Sequence, residues 1–377
     1  MMQVLIVPDS FKECLDARAV AMAIAQGIKN HHPQVKTTTL PFSDGGEGAL
    51  DLLENHGQGQ RVSCPTVDSI GRPITADYIL FKNHPTAWIE LSQASGLAQL
   101  KQSQRNPLVT TTYGTGLQIK DALARGCTKI ILGVGGSATN DGGAGIFQAL
   151  GGRLLDQNHK PLSLGGAALG QLRYLHPPGG LDHIQWQVAC DVQNPLLGPR
   201  GASRIYAPQK GASNDEVQKL EKSLSHFSKI IKSHCGQSID RIPGGGAAGG
   251  TAAGMFGFFN AQLISGFTLL AELLHLEEAI KKADLVFTAE GKIDQQSSQG
   301  KLTVAVAQMA KKHNTPCVGL AGALEGPLEA FYKLGFSGIF SIQQGPISQK
   351  ESFKHAAPLL TQTTERVFAF YHNTLSS

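Results

Sequence analysis

The sequence contains no Cys-x-x-Cys pair, no His-Glu-x-x-His motif and no block rich in lysine or arginine. Its six cysteines lie far apart, so we expect reduced thiols and neither a disulfide framework nor a zinc site. Aromatic residues make up only 6% of the chain and are not interleaved with basic residues, while the net charge is +4. These features argue against nucleic acid as a partner.

Long apolar runs are also missing. No uninterrupted apolar stretch reaches the roughly 20 residues that a membrane-spanning helix needs. The first residues, MMQVLIVPDSFK, lack the charged n-region and the long h-region of a signal peptide. We therefore expect a cytoplasmic protein that does not bind a membrane. The length of 377 residues favours two domains.

Glycine, in contrast, is abundant: the chain has 44, and most of them are clustered. The densest cluster lies in residues 130–151, IILGVGGSATNDGGAGIFQALG, which predict a buried strand, a glycine loop and a helix. This layout presents backbone N–H groups and a helix N-terminus to an anion. The candidate ligand-binding residues in this loop are Gly135, Gly136, Ser137, Asn140 and Asp141.

Asp141 in this loop could orient a hydroxyl group or hold Mg²⁺. The loop has no lysine of the G-x-x-x-x-G-K-[S/T] type and lacks the third glycine of G-x-G-x-x-G in register. If the loop binds phosphate, it does so by a different design. The alternative is a glycine-rich turn that only packs tightly.

Acidic or lysine-containing loops follow two other predicted strands near the N-terminus. After residues 3–7 the chain continues with Asp9, Ser10 and Lys12, where Lys12 could neutralise phosphate charge and Asp9 could bind a metal. After residues 35–40 it continues with Asp44 and Glu47 around two glycines. Paired carboxylates suit Mg²⁺ held beside phosphates, although Asp44 could equally be the N-cap of the next helix.

Two further loops carry charged residues at predicted strand ends. Asp191 follows the apolar run 186–189 and could be a catalytic base, with Arg200 and Lys210 in the polar segments beyond it. Residues 284–288 predict a strand, and the loop after it contains Glu290, Lys292 and Asp294. Carboxylates for Mg²⁺, lysines for phosphate charge and a base for a hydroxyl are what phosphoryl transfer requires.

A third glycine-rich run, PGGGAAGGTAAG at residues 243–254, matches G-x-G-x-x-G, but no clear strand precedes it. We expect it either to let a helix pack very closely or to form a second loop facing phosphate.

The order of strands and helices predicts an α/β protein. Residues 1–60 and 281–377 together predict a five-stranded, doubly wound parallel sheet of the Rossmann or flavodoxin-like type. Residues 61–280, which begin with short alternating strands, predict a second α/β domain inserted into the first. We expect the active site in the cleft between the two domains.

At these same motifs the sequence resembles the bacterial glycerate kinase family. The matching segments are PDSFK (8–12), PFSDGGEG (41–48), GVGGSATNDGGAG (133–145), CDVQNPLLGPRGA (190–202), PQKGA (208–212), PGGGAAGG (243–250) and AEGKID (289–294). The resemblance implies ATP-dependent phosphorylation of D-glycerate to 2-phosphoglycerate with Mg²⁺, on a Rossmann-like domain with an inserted α/β domain. Glu13, Cys14 and Ala289 depart from the family's usual residues.

We assign roles as a hypothesis. Asp191 is the base; Asp44 holds Mg²⁺, with Glu47 or Asp9 as second ligand; and Lys12, Ser10 and the amides of Gly135–Ser137 hold phosphate oxygens. The candidates for the glycerate carboxylate are Arg72, Arg200 and Lys210. The alternatives are a kinase of another small hydroxy or sugar acid, formation of 3-phosphoglycerate, and a non-catalytic sensor of glycerate or nucleotide. We expect a monomer or a homodimer.

Overall fold

The computed structural model describes residues 1–11, 13–42, 48–82, 84–294 and 302–375. The strands are β1 Gln3–Ile6, β2 Lys36–Thr39, β3 Gly59–Val67, β4 Pro73–Phe81, β5 Thr86–Glu90, β6 Lys129–Gly133, β7 Arg153–Leu155, β8 Tyr174–His176, β9 Gln185–Ala189, β10 Gln262–Ile264, β11 Leu285–Ile293, β12 Cys317–Leu324 and β13 Gly338–Ser341. The helices are α1 Ala17–His31, α2 Ala49–Asn55, α3 Ser92–Ser95, α4 Tyr113–Ala124, α5 Ala144–Ala149, α6 Ala202–Tyr206, α7 Asn214–Cys235, α8 Ala247–Phe259, α9 Gly266–Leu273, α10 Leu276–Lys282, α11 Leu302–Lys312, α12 Glu329–Leu334, α13 Gln349–Lys354 and α14 Ala356–Leu375.

The chain forms two compact units. The terminal unit consists of residues 1–44 and 270–377, and the central unit of residues 45–269. The sequence prediction placed the divisions after residues 60 and 280. The first division falls earlier in the structure because α2 packs against β3 and β4 of the central unit. Among the described residues, no helix combines the length and the apolar character needed to span a membrane.

The terminal unit contains a five-stranded parallel sheet in the order β2-β1-β11-β12-β13. Numbered along the unit, this order is 2-1-3-4-5, the flavodoxin-like arrangement, which confirms the predicted fold class. The buried apolar strands supply the core of the sheet, as the predicted short hydrophobic runs require. The acid before the periodic apolar residues of segment 17–28 predicts an N-cap at Asp16. Helix α1 confirms it, because Asp16 accepts a hydrogen bond from the Ala19 amide at 2.7 Å.

Two element boundaries in the terminal unit differ from the sequence prediction. Strand β11 does not end at Thr288 but continues to Ile293, because β12 pairs with it as far as Ile293 opposite Leu324. The sequence pattern of residues 353–371 predicts one helix, but in the structure these residues belong to two helices, α13 and α14.

The central unit contains a six-stranded mixed sheet in the order β10-β9-β6-β5-β4-β3. The four strands from β10 to β5 are parallel, whereas β5, β4 and β3 pair antiparallel. A separate antiparallel pair, β7 with β8, lies outside this sheet. The unit is therefore an α/β domain in its own right, as predicted.

The two glycine-rich segments of the central unit pack directly on each other. The Gly142 amide donates to the Gly249 carbonyl at 3.1 Å. A Cβ added at Gly254 would overlap the carbonyl oxygen of Gly142, and one at Gly249 would overlap that of Thr139. The prediction that residues 243–254 allow close helix packing is therefore confirmed. Helical geometry is interrupted at residues 248–250, where φ is positive.

We predict that Gly254→Ala destabilises the central unit by about 2 kcal/mol, because the new methyl group must displace backbone rather than a flexible side chain. The measurement is urea unfolding followed by circular dichroism. Gly179→Ala is the matched control, since a Cβ at Gly179 meets nothing within 4 Å. Equal unfolding midpoints for the two variants would contradict the packing argument.

Candidate functional site

The glycine loop after β6 is held by the segment that follows β5. The Leu97 amide donates to the Gly136 carbonyl at 2.8 Å, and the Ala138 amide donates to the Ser95 carbonyl at 2.9 Å. Within the described part of the chain, the amides of Gly135, Gly136 and Ser137 donate no hydrogen bond. Gly136 is exposed and has a positive φ of 63°. The loop thus offers backbone donors that an anion can use.

Asp141 is fully buried and holds the rest of the loop in place. Its carboxylate accepts hydrogen bonds from the Thr112 amide at 2.8 Å, the Thr112 hydroxyl at 2.9 Å and the Gly143 and Gly145 amides at 3.2 and 3.3 Å. The Thr111 hydroxyl also donates to it, at 3.3 Å. Burial raises the pKa of this carboxyl group, although these donors oppose the shift.

The hydroxyls that Asp141 orients are therefore those of the protein itself. In this structure the oxygens of Asp141 are enclosed and accept hydrogen bonds from protein donors, and the expectation that Asp141 could hold Mg²⁺ stays a prediction.

Lys210 reaches the same loop from the 3-10 turn that precedes α7. Its side chain is only 2% exposed, and its Nζ donates to the Ser137 hydroxyl and to the Thr139 carbonyl, both at 2.7 Å. Burial lowers the pKa of Lys210 to about 7, whereas the charge of Asp141 acts in the opposite direction. Asn140 is also buried, and its side-chain amide donates to the Ser203 hydroxyl at 3.1 Å. Of the predicted site residues, Lys210 and Ser137 are thus in direct contact, and Asn140 lies in the same loop.

Asp191 lies just beyond β9, as predicted, and its residue is exposed. Its Oδ1 accepts hydrogen bonds from the Ser265 hydroxyl at 2.8 Å and from the Gly266 amide at 2.9 Å. These two donors come from the start of α9, so they fix the carboxylate in one orientation.

The two arginine candidates form hydrogen bonds and ion pairs with segments other than the glycine loop. Arg72 is in the turn between β3 and β4, where its Nε pairs with Asp68 and its guanidinium donates to the Gln99 carbonyl at 3.3 Å. Arg200 is exposed, and its carbonyl accepts a hydrogen bond from Asn194 at 2.8 Å. Among the described residues, neither arginine forms a hydrogen bond or an ion pair with the loop.

The terminal unit contains a cavity of about 580 Å³ at the carboxyl ends of β1, β11, β12 and β13. The chain leaves β1 toward β2 on one side, and β11 lies on the other side, so this edge is the topological switch point of the sheet. Ligands of open α/β sheets bind at such points. Four predicted site residues line the cavity: Asp9, Ser10, Glu290 and Lys292.

The polar lining of the cavity is fixed by short contacts. Asp9 is 7% exposed and accepts a hydrogen bond from the Ser10 amide at 2.6 Å. Glu290 is 5% exposed and accepts one from the Thr303 hydroxyl at 2.7 Å. Lys292 pairs with Asp294 at 3.5 Å and with Glu325. The cavity therefore presents two buried carboxylates and a lysine whose charge is already balanced.

Three predicted site residues, Lys12, Asp44 and Glu47, lie outside the described residues. Within the described residues, no group of three or more histidine, cysteine, aspartate or glutamate side chains is arranged to hold a metal ion.

Some residues of these sites were not predicted from the sequence. Thr111 and Thr112 engage Asp141, and the run of three threonines before the glycines of α4 is a signal that could have indicated them. Phe353 and Gln343, which line the cavity, carry no comparable local signal, because they approach it only through the packing of α13 and the loop after β13.

Comparison with known proteins decides the family. The model of the glycerate kinase family matches residues 4–372. The chain belongs to the glycerate kinase family. It is accordingly a kinase, an enzyme that transfers a phosphoryl group.

Relatives within the family match over almost their whole length. The glycerate kinase of Halalkalibacterium halodurans is 40% identical over 370 residues, covering 97% of each chain. The glycerate 2-kinase of Escherichia coli is 39% identical over 371 residues, covering 98% of this chain and 97% of its own. A crystal structure from Salmonella typhimurium LT2, provisionally described as glycerate kinase 2, has a TM-score of 0.85 and 38% identity over the full length of both chains.

The buried lysine of this family member predicts a pH-dependent stability. The pKa of Lys210 is about 7 in the folded chain, against about 10.4 for an unfolded lysine. Between these values the unfolded state binds more protons, so the free energy of unfolding rises with pH. Relative to Lys210→Met, the wild type should gain about 2 kcal/mol between pH 7 and pH 9. Urea unfolding at each pH measures this gain, and a constant difference between the two proteins would contradict it.

Proposed function

We propose that this protein catalyses the ATP-dependent phosphorylation of D-glycerate to 2-phosphoglycerate, assisted by Mg²⁺. The observation that carries the proposal is the family match over residues 4–372, together with a relative of 39% identity named glycerate 2-kinase. The anion-ready glycine loop and the exposed, oriented Asp191 supply chemistry that such a reaction needs.

The glycine loop would bind an anionic oxygen of a substrate through the amides of Gly135, Gly136 and Ser137. Lys210 supports this role from behind the loop, because its Nζ donates to the Ser137 oxygen. The proton of that hydroxyl is then directed to another acceptor, which we propose is the bound anion. Since Lys210 is almost completely buried, it would act on the ligand through Ser137 and not by direct contact.

Asp191 is our candidate for the base that takes the proton of the glycerate hydroxyl. Its bonds to Ser265 and Gly266 would keep the carboxylate aimed in one direction. Arg200 and Arg72 stay candidates for the glycerate carboxylate, because guanidinium groups bind carboxylates in a two-pronged geometry.

Mg²⁺ would neutralise phosphate charge during transfer. We propose Asp44 as its first ligand, with Glu47 or Asp9 as second, and Lys12 as a further cation for phosphate. Asp9 fits this assignment because carboxylate oxygens are the donors that Mg²⁺ prefers, and its carboxyl group lines the terminal-unit cavity.

Three alternatives follow from the same residues. The acceptor could be another small hydroxy or sugar acid, the product could be 3-phosphoglycerate, or the chain could be a sensor without turnover. A cytoplasmic location and a monomeric or homodimeric state stay predictions.

We expect the protein to release ADP when it is given ATP, Mg²⁺ and D-glycerate, and the product to be 2-phosphoglycerate. A coupled ADP-release assay followed by ³¹P NMR of the product measures both points. Formation of 3-phosphoglycerate would support the kinase activity and show that the other hydroxyl group of glycerate is the acceptor. Turnover with another hydroxy acid in place of D-glycerate would change the assigned substrate. Folded protein without any turnover would support the alternative of a non-catalytic sensor.

We predict that Asp191→Asn lowers kcat by at least about 100-fold, because an amide cannot accept the proton of the hydroxyl. Asp182→Asn is the matched control, since Asp182 is an exposed acid elsewhere in the central unit. Steady-state kinetics at saturating ATP and D-glycerate compare the two variants. A near-normal kcat for Asp191→Asn would remove the residue from the catalytic step and leave it the role of anchoring α9.

A further inference from the structure

The cavity of the terminal unit combines two kinds of lining. One part is acidic, with the buried carboxylates of Asp9 and Glu290. The other part is apolar and includes Phe11, Ile342 and Phe353. Such a combination suits a ligand that has hydroxyl groups at one end and a flat apolar body at the other.

Two of the apolar lining residues are unusually exposed for their type. Ile347 is 46% exposed and Phe353 is 37% exposed. Both lie on the segment that leads into α13 or within that helix. An aromatic side chain left partly uncovered at a cavity can stack on a planar ring and be covered by it.

The size of the cavity argues against the acid substrate as its sole occupant. Glycerate is small, whereas a cavity of about 580 Å³ has the size of sites for drug-sized ligands.

We propose that this cavity holds the nucleoside half of ATP. The ribose hydroxyls donate hydrogen bonds to Asp9 and Glu290, and the base stacks on Phe353. This role for Asp9 leaves Glu47, of the two candidates, as the second ligand of Mg²⁺. Acidic side chains that accept hydrogen bonds from ribose hydroxyls at the edge of a parallel sheet are an established solution in nucleotide-binding folds. Neutral polar groups at the cavity, Gln343, Gln349 and Ser352, match the polar edge of a base. This proposal rests on the proposed function, since it assigns one of the two substrates of that reaction to the terminal unit.

The test fills the cavity and follows each substrate separately. Ala323 is an exposed lining residue near the end of β12, so Ala323→Phe occupies space that the nucleoside needs. The matched control is Ala330→Phe, at an exposed position of α12 that does not line the cavity. We expect Ala323→Phe to raise the KM for ATP at least about tenfold and to leave the KM for D-glycerate within about twofold, with both values unchanged in Ala330→Phe.

Phe353→Ala provides a second variant in case Ala323→Phe does not fold. Isothermal titration of adenosine and of ADP into the full-length chain should show binding that weakens roughly tenfold in this variant, because a stacking partner of the base is lost. Adenosine, which has no phosphate, reports on this cavity without any contribution from an anion-binding loop.

The outcomes separate this proposal from the proposed function. An active wild type whose ATP KM and adenosine affinity are unaffected by both variants would overturn the nucleoside assignment and leave the kinase intact. A selective rise in the KM for D-glycerate would also overturn it and would assign the cavity to the acid. A wild type that binds adenosine through Phe353 but does not phosphorylate D-glycerate would support the assignment and refute the proposed function.

Discussion

The glycine loop of the central unit depends on one buried carboxylate. Asp141 has no contact with solvent, and an ionised carboxylate in that position is tolerated only if protein donors replace water. The amides of Gly143 and Gly145 come from its own loop, while Thr111 and Thr112 come from the segment before α4. The hydrogen bonds of Asp141 thus tie two stretches of chain into one support for the amides of Gly135, Gly136 and Ser137, which we propose as an anion site.

Glycine serves this arrangement by allowing close approach and not only by bending the backbone. Gly145 lies against Thr111 and Tyr113, and Gly249 lies against Thr139 and Asn140, where any side chain would collide with backbone. The loop is therefore tightly packed at these glycines. A tightly packed turn is compatible with the proposed anion site, because the packing would make the site rigid.

Much of the fold could be predicted from local pattern. Asp16 as a helix N-cap, α2 at residues 49–55 and the five parallel strands of the terminal unit all follow from periodicity and capping chemistry. The extension of β11 to Ile293 could not be predicted, because Glu-Gly-Lys resembles a turn until β12 supplies hydrogen-bonding partners. Strand length is decided here by a neighbour that is distant in sequence.

Part of the candidate site could also be predicted from local sequence features. Glycine clusters and strand-end acids predict candidate ligand sites, because these are local features of sequence. They could not indicate that Asp141 faces inward or that Lys210 reaches Ser137, since both depend on tertiary packing. The cavity of the terminal unit was also hidden, because Phe353 belongs to a helix of its own and not to the long predicted one.

The connectivity of the terminal unit has a consequence for synthesis. Strand β1 pairs with β11, with Val4 opposite Leu285, so β1 has a neighbour on both sides only after residue 285 has been synthesised. The central unit is continuous in sequence and can fold as soon as residue 269 has left the ribosome. During translation the N-terminal strands therefore stay unpaired on one edge while the inserted unit matures. This order exposes β1 to chaperones and to premature association for longer than any strand of the central unit.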